Sequence, residues 1–260
     1  MSIKHAFRNK IIALFSTFSG GRKPFGIFYH SIHDRSYWLS VPPQDLEAHI
    51  RFCIDQDFQF LSIEDIEKKR MFSDQDMQYV SLTFDDGFED NYTYAFDLIR
   101  KYNIPAIFFI TTDYVGKIDQ KSDLPYMSWE QVIEIAAHPL CTIGSHSVTH
   151  REFTTLSDEE AKRELIDSKK IIEDKIGKKI TSFAFPKGSY SERDVMLLQT
   201  TGYNSAFTTK RTRWNETMSL FEIPRYIVDS QSMPFLQKMH FRGYEIYWDI
   251  YRKIFSHRNV

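Results

Sequence analysis

The sequence predicts an α/β fold in which a parallel sheet closes, or nearly closes, into a barrel of about seven strands. Short apolar segments alternate along the chain with longer segments whose apolar residues recur at helical spacing. Such alternation is typical of βαβ units and of a parallel sheet. The chain has 260 residues, which is enough for one such barrel with a buried core.

The strands are predicted at short apolar segments. In chain order they are 25–30, 58–61, 79–84, 104–111, 141–144, 183–185, 206–209 and 224–228. The fourth of these is apolar along almost its whole length, which indicates a strand that is buried on both faces.

The helices are predicted from apolar periodicity and from capping residues. Segment 43–57 has apolar residues four apart on one face. Helix starts are marked by pairs three residues apart, which are Ser62 with Asp65, Ser128 with Gln131, and Ser157 with Glu160. Gly177 marks the end of the third of these helices. Two more helices are expected at about 90–102 and 234–255.

Composition excludes several classes of protein. The 33 basic and 35 acidic residues give a net charge of −2, which excludes nucleic-acid binding driven by bulk positive charge. Two cysteines cannot build a disulfide scaffold or a cysteine zinc finger. There is no apolar run long enough for an ordinary transmembrane helix.

Residues 1–24 are predicted to be a segment separate from the domain expected over 25–260. Three basic residues precede the apolar stretch 11–15, as in a weak secretory signal, but no small-x-small cleavage pattern follows. The alternative is an amphipathic helix that packs on the domain or rests on a membrane surface, so a peripheral membrane contact is possible.

Polar residues stand at the predicted carboxyl ends of several strands, where barrel enzymes carry their chemistry. They are His30, Asp85 and Asp86, His146 and His150, and the segment 186–188. The Asp-Asp-Gly sequence is also a common turn. The two histidines, four residues apart, can bind one metal ion, although two incidental surface histidines would have the same spacing.

A catalytic metal site requires a third, anionic ligand, which Asp86 or Asp85 can supply. Two histidines and one carboxylate leave coordination positions open for water and substrate. The other aspartate can then act as the base on the bound water.

Three motifs resemble those of the polysaccharide deacetylases with a NodB-homology domain, which form carbohydrate esterase family four. They are TFDDG at 83–87, HSVTH at 146–150 and FAFPKGSY at 183–190. The segments 91–96, 104–116, 127–131 and 201–209 are also similar, and the resemblance extends over about 25–229. It implies a distorted (β/α)7 barrel, similar to a TIM barrel.

The resemblance implies roles for individual residues. Asp85 is expected to be the general base. Asp86, His146 and His150 are expected to bind zinc or another divalent transition metal, and Ser147 to brace the histidine loop.

The third motif implies the substrate contacts. Pro186 to Gly188 are expected to form one wall of the groove, and the backbone N–H of Lys187 to stabilise the oxyanion. Tyr190, from the same motif, is a further candidate for substrate binding.

The sequence departs from the family pattern at three places. Ala184 stands where many members have an arginine that orients the base, and Lys187 stands where an aromatic residue is usual. The C-terminal leucine-x-histidine motif that supplies the general acid is missing, since His240 matches it poorly.

His30 is the candidate replacement for this acid. Phe28-Tyr29-His30 resembles a segment of exported poly-N-acetylglucosamine deacetylases, in which the acid histidine lies on the first strand. The alternative is a buried core histidine. We expect His33 to be a weaker candidate, His138 to lie at the surface and His49 to be solvated.

The resemblance implies a metal-dependent hydrolase that removes the N-acetyl group of an amino sugar in a bacterial surface polysaccharide or its precursor. One alternative is a carbohydrate O-acetyl esterase, and another is a sugar-binding protein of the same fold without catalysis. The expected location is the cytoplasm or the vicinity of the membrane rather than outside the cell. The sugar and the oligomeric state stay open.

Overall fold

The computed structural model describes residues 24–34, 37–69 and 79–229. The predicted N-terminal segment, the predicted helix at 234–255 and His240 lie outside these residues. Within them, no helix combines the length and the apolar character needed to cross a membrane.

Eight parallel strands form one sheet. They are β1 (Phe25–Tyr29), β2 (Gln59–Phe60), β3 (Tyr79–Phe84), β4 (Ala106–Ile110), β5 (Cys141–Ser145), β6 (Ser182–Ala184), β7 (Ser205–Phe207) and β8 (Arg225–Ile227). Seven of them follow the order β7-β6-β5-β4-β3-β1-β8, and β2 pairs with the start of β3. A parallel bridge from Phe207 to Ile223 links the two ends of this row. The predicted distorted seven-stranded barrel is therefore confirmed.

Helices cover the outside of the barrel. They are α1 (Pro43–Asp55), α2 (Ile63–Lys69), α3 (Phe96–Tyr102), α4 (Trp129–Ala137), α5 (Asp158–Ile176) and α6 (Glu192–Thr200). A π-helical turn, Asn91–Ala95, leads into α3. The predicted capping boxes at Ser128 and Ser157 are present, and Gly177 ends α5 with a φ of 67°. Helix α6 was not predicted, because Leu198 is its only buried apolar side chain.

Strand β4 is buried on both faces, as predicted. All five residues of β4 are buried. Ile107 and Phe109 belong to one apolar cluster with Trp214, whereas Phe108 belongs to the larger cluster under the helices. Alternating side chains of one strand thus fill two cores, which holds the parallel strands in register.

His49 on α1 is buried, with 3% of its surface exposed, so the expectation that it is solvated is wrong. Its Nδ1 lies 2.8 Å from the hydroxyl of Tyr29. Burial lowers the pKa of His49 to about 3. Its position on the helix agrees with this burial, since His49 lies three residues after Leu46 and four before Cys53 on the buried face of α1.

Candidate active site

The carboxyl ends of the strands open into one cleft of about 450 Å³. Strands β1, β3, β5 and β6 each deliver to it a residue expected from the sequence. These residues are His30, Asp85, Asp86, His146, His150 and Lys187. The parallel topology brings them together, since all these strands end at the same edge of the barrel.

The chain turns sharply directly after β3. Asp86 has a φ of 71° and Gly87 a φ of 87°, so two consecutive residues adopt the left-handed conformation. Asp85 and Asp86 both line the cleft as a result. Ser147, His150 and Lys187 also have positive φ values. Such conformations are costly for residues other than glycine, and they concentrate at functional sites.

The histidine loop after β5 is held by side chains on both sides. The hydroxyl of Ser147 accepts a hydrogen bond from the backbone N–H of His150 at 3.0 Å, the bracing contact that the resemblance implies. The buried carboxylate of Glu164 on α5 accepts the N–H groups of Val148 and Thr149 at 2.8 and 2.9 Å, and the Thr149 hydroxyl at 2.6 Å. Sequence inspection did not single out Glu164.

Asp86, His146 and His150 converge on one point. Their potential ligand atoms all lie within 4.8 Å of one another. The Asp86 Oδ1 atom is 3.5 Å from Nε2 of His146 and 3.2 Å from Nε2 of His150. Burial lowers the pKa of each imidazole to about 4, so both are neutral at pH 7 and offer a lone pair.

The donor set suits a divalent transition metal. Nδ1 of His146 donates to the carbonyl oxygen of Ala184 at 2.7 Å, which leaves its Nε2 lone pair directed to the site. The Asp86 Oδ1 atom is buried and has no hydrogen-bond donor among the described residues. A metal ion bound by Asp86, His146 and His150 would satisfy this oxygen, since a buried carboxylate oxygen without a partner is destabilising.

Asp85 is held by Arg225, the first residue of β8. The guanidinium donates from Nη1 to Oδ1 at 2.7 Å and from Nη2 to Oδ2 at 2.8 Å. Nη1 also donates to the Thr83 hydroxyl at 2.8 Å. Arg225 is fully buried, and a Cβ at Gly26 would lie only 2.9 Å from its Cγ, so glycine is needed there.

Arg225 keeps Asp85 ionised. Burial would raise the pKa of this carboxyl, but the charge of Arg225 and its hydrogen bonds lower the pKa below the usual value. Arg225 thus occupies the place of the base-orienting arginine that is absent at Ala184. Sequence inspection missed it, although an arginine within the apolar segment 223–228 was an available signal.

His30 follows β1 and lines the same cleft as Asp85 and Asp86. Burial raises the pKa of Asp86, and the charge of the nearby His30 is the largest effect that opposes it. Nδ1 of His30 is buried and has no hydrogen-bond partner in the described part of the chain. His30 is therefore a cleft residue rather than a histidine satisfied within the core.

The π-helical turn after β3 anchors the loop that carries His30. Asn91 donates from Nδ2 to the backbone carbonyl of His30 at 2.7 Å. The carboxylate of Asp90 accepts the hydroxyl of Ser31 at 2.6 Å and the N–H of Ile32 at 2.8 Å. Short π-helical segments are common at functional sites, and here the segment positions a candidate acid.

The third motif contributes less to the cleft than the resemblance implies. Lys187 lines the cleft, and its Nζ donates to Glu152 at 2.8 Å. Pro186 is buried and Tyr190 is partly buried, and neither is among the residues that line the cleft. The ring of Tyr190 stacks on Phe185, and its hydroxyl donates to Glu222 at 2.7 Å.

Two other histidines of the described ranges, His33 and His138, are not among the residues that line the cleft. His33 and His138 are partly buried, and the His138 ring packs edge-on against Phe96. The cleft wall instead contains aromatic side chains that the sequence did not distinguish from core residues. They are Tyr37, Trp38, Phe88, Tyr114 and Tyr126.

Comparison with known proteins agrees with this geometry. The polysaccharide deacetylase family model matches residues 73–206. The Bacillus subtilis (strain 168) protein YxkH, whose name places it among the polysaccharide deacetylases, is 30% identical over 188 residues, which are 71% of this chain and 63% of the relative. The chain thus spans less than two thirds of the length of that relative.

Two further comparisons extend over more of the chain. The poly-β-1,6-N-acetyl-D-glucosamine N-deacetylase of Staphylococcus epidermidis is 23% identical over 209 residues, which are 76% of this chain and 71% of that enzyme. The structure of IcaB from Ammonifex degensii superposes with a TM-score of 0.74 at 21% identity and covers 85% of this chain and 98% of IcaB. This chain therefore belongs to the polysaccharide deacetylase family.

Proposed function

We propose that this protein hydrolyses the acetamide group of an N-acetylated saccharide and releases acetate. The observation that carries the proposal is an ionised carboxylate, Asp85, held by Arg225 beside the convergent ligands Asp86, His146 and His150. The name of the staphylococcal relative supports an N-acetylated sugar polymer as the substrate class.

Asp85 is the base in this proposal. A metal ion bound by Asp86, His146 and His150 supplies Lewis acidity, which polarises a carbonyl group and acidifies water. Asp85 accepts the proton of the attacking water, since its carboxylate lines the cleft next to the ligand cluster and is ionised at neutral pH. Arg225 prevents the carboxylate from rotating, because both of its oxygens accept from the guanidinium.

His30 is the acid. An amine is a poor leaving group unless it is protonated, so amide hydrolysis needs a proton donor near the scissile nitrogen. His30 lines the cleft and comes from β1, whereas the ligand histidines come from the loop after β5. Its backbone is held by Asn91, which keeps the side chain at this edge of the barrel.

The aromatic side chains are the sugar-binding wall. Trp38 is 65% exposed although it is a large apolar residue, and it lines the cleft beside Tyr37. The rings of Tyr114 and Tyr126 contact each other at a tilt of 31°, with their centroids 4.7 Å apart. Flat rings pack against the apolar face of a pyranose, and their polar edges remain available for hydroxyl groups.

Acetate release from purified, zinc-loaded protein tests the proposal. N-acetylated and O-acetylated saccharides should be compared, each with and without a chelator. Asp85→Asn should bind metal like the wild type and lose about 10²–10⁴-fold in turnover. Asp167→Asn, on the exposed face of α5, is the matched control and should keep full activity.

Two outcomes would contradict the proposal. Release from O-acetylated substrates alone would assign the protein as an O-acetyl esterase. Near-normal turnover of metal-loaded Asp85→Asn would remove Asp85 from the role of base. We also propose that the substrate is a bacterial surface polysaccharide or its precursor. The protein would meet it in the cytoplasm or near the membrane. The same assays, carried out on cell fractions, test both points.

A further inference from the structure

We propose that Asp119 is a specificity-determining residue whose carboxylate accepts a hydrogen bond from a hydroxyl group of the bound saccharide. The inference rests on the deacetylase function proposed above and specifies how its site recognises a sugar. Asp119 lines the cleft together with Asp85 and Asp86. Asp85 is paired with Arg225 and Asp86 belongs to the ligand cluster, whereas Asp119 has neither role.

Asp119 lies at the turn of a short hairpin between β4 and α4. The N–H of Tyr126 donates to the carbonyl oxygen of Lys117 at 2.9 Å, and the N–H of Asp119 donates to that of Leu124 at 2.8 Å. The carbonyl oxygen of Asp119 accepts the N–H of Asp123 at 2.9 Å, which closes the turn. The backbone of Asp119 is therefore fixed before a ligand binds, so little ordering entropy opposes a contact to its side chain.

The two oxygens of the Asp119 carboxylate have different surroundings. Oδ2 accepts the N–H and the hydroxyl of Ser122 at 2.8 and 2.6 Å, which is a contact within the turn. Oδ1 accepts the hydroxyl of Tyr126 at 3.3 Å, which is long for an O–H···O hydrogen bond. A carboxylate oxygen can accept two hydrogen bonds. Oδ1 therefore keeps acceptor capacity beside Tyr126, which also lines the cleft.

Asp119 stands at the polar edge of the aromatic wall. Burial raises the pKa of Tyr37, and the charge of Asp119 is the next cause. Burial also raises the pKa of Tyr114 to about 12, with further contributions from Asp86 and Asp119. The same three causes, in the same order, raise the pKa of Tyr126. The carboxylate thus lies near tyrosines of two different loops, and their hydroxyl groups stay protonated at neutral pH.

This arrangement suits a hydroxyl group on a sugar. A pyranose packs its apolar face on flat rings and projects its hydroxyl groups outward, towards the polar edge of the wall. A hydrogen bond to a charged acceptor contributes more than one between neutral groups. A ligand without the hydroxyl would cover Oδ1 and give it no donor in place of water. The site therefore discriminates against such ligands more strongly than an apolar wall alone could.

Asp119→Asn separates this role from a structural one. The N–H of Ser122 requires an acceptor, so the amide oxygen of asparagine takes the place of Oδ2 and preserves the turn. The amide NH₂ group then takes the place of Oδ1 and presents a donor where the saccharide needs an acceptor. Asp113→Asn is the matched control, because Asp113 is an exposed residue of the same loop that does not line the cleft.

Titration calorimetry on metal-loaded protein carrying Asp85→Asn tests the inference without turnover. The ligands are an N-acetylglucosamine trimer and analogues of it that each lack one hydroxyl group. One analogue should bind about tenfold more weakly than the trimer. Adding Asp119→Asn should weaken the trimer about tenfold and remove the difference between the trimer and that analogue. Adding Asp113→Asn should change neither affinity.

Turnover with Asp85 intact provides a second readout. Asp119→Asn should raise KM for the trimer about tenfold and leave kcat nearly unchanged, as expected when a contact is made equally in the ground state and the transition state. Hydrolysis of an activated aryl acetate should keep its rate, because that substrate has no sugar hydroxyl. Loss of both activities together would show a structural role and overturn the inference.

The inference is also overturned if no ligand binds, if Asp119→Asn leaves the affinity for the trimer unchanged, or if every analogue keeps its penalty in that variant. A trimer with one sugar deacetylated carries an ammonium group. If Asp119→Asn weakens only this ligand, Asp119 recognises an amine rather than a hydroxyl. Failure of the proposed function looks different, since binding that depends on Asp119 without acetate release by the wild type would overturn the deacetylase assignment alone.

Discussion

Replacing Arg225 by methionine tests whether the base depends on a partner from the last strand. Methionine replaces the unbranched aliphatic part of the arginine side chain but removes the guanidinium. The carboxylate of Asp85 is then buried without a counter-charge. Asp85 and Arg225 have side-chain exposures of only 3% and 0%. Breaking such a buried pair from one side typically costs about 3–5 kcal/mol, a large part of the 5–15 kcal/mol that stabilises an ordinary domain.

The double variant isolates the ion pair from the lost packing. Asp85→Asn in the Arg225→Met background removes the uncompensated charge, so the two single penalties should exceed the penalty of the double variant by about 2–3 kcal/mol. The exposed pair between Arg151 and Glu160 provides a control, since its side chains are 49% and 35% exposed. Arg151→Met should cost less than about 1 kcal/mol.

Urea unfolding of chelator-treated protein at pH 7 measures these free energies without a contribution from metal binding. Penalties for Asp85→Asn and Arg225→Met that add to within about 0.5 kcal/mol would refute the coupling. In the metal-loaded enzyme, Arg225→Met should also lower turnover, and near-normal turnover would show that Asp85 keeps its position without the guanidinium.

Three other variants test the rest of the site. Asn91→Ala frees the backbone of His30, so it should lower amide hydrolysis about tenfold. Hydrolysis of an activated aryl acetate should fall far less, because that leaving group needs no proton. Equal losses on both substrates would argue against Asn91 as the residue that positions the acid His30. Glu164→Gln should weaken zinc affinity about 10–100-fold in a chelator competition, whereas exposed Glu159→Gln on the same helix should not. Because its pKa is about 3 in the folded protein and about 6.5 in an unfolded chain, His49 takes up a proton only on unfolding as the pH falls below 6.5. Wild type should therefore lose about 2 kcal/mol more stability than His49→Gln between pH 7 and pH 5, and parallel pH profiles from urea unfolding would contradict this.

Several predictions from the sequence concern contacts between residues close together in the chain. Ser128 and Ser157 cap their helices through partners three residues away, and Gly177 ends α5. Such contacts depend on local backbone geometry, so their spacing is sufficient evidence. The alternation of strands and helices predicted the barrel because each strand connects to the next through a right-handed crossover. This rule leaves few other arrangements of the strands.

The metal ligands were recognisable because two of them are four residues apart and the third follows a buried strand directly. His146 and His150 come from one loop, and Asp86 ends another. Parallel strands bring their carboxyl ends to one edge, so residue type and strand position together were enough to predict that these side chains lie near one another.

The sequence by itself determined the alternation of strands and helices along the chain, the capped helices and the chemical types of the groups at the strand ends. Only the tertiary structure decided which distant residues complete the site. Arg225 meets Asp85 across 140 positions because β8 pairs with β1, and β1 with β3. The link from Asn91 to the His30 carbonyl spans 61 positions. Neither contact has a local spacing that reveals it, since each depends on how the strands pair when the barrel closes.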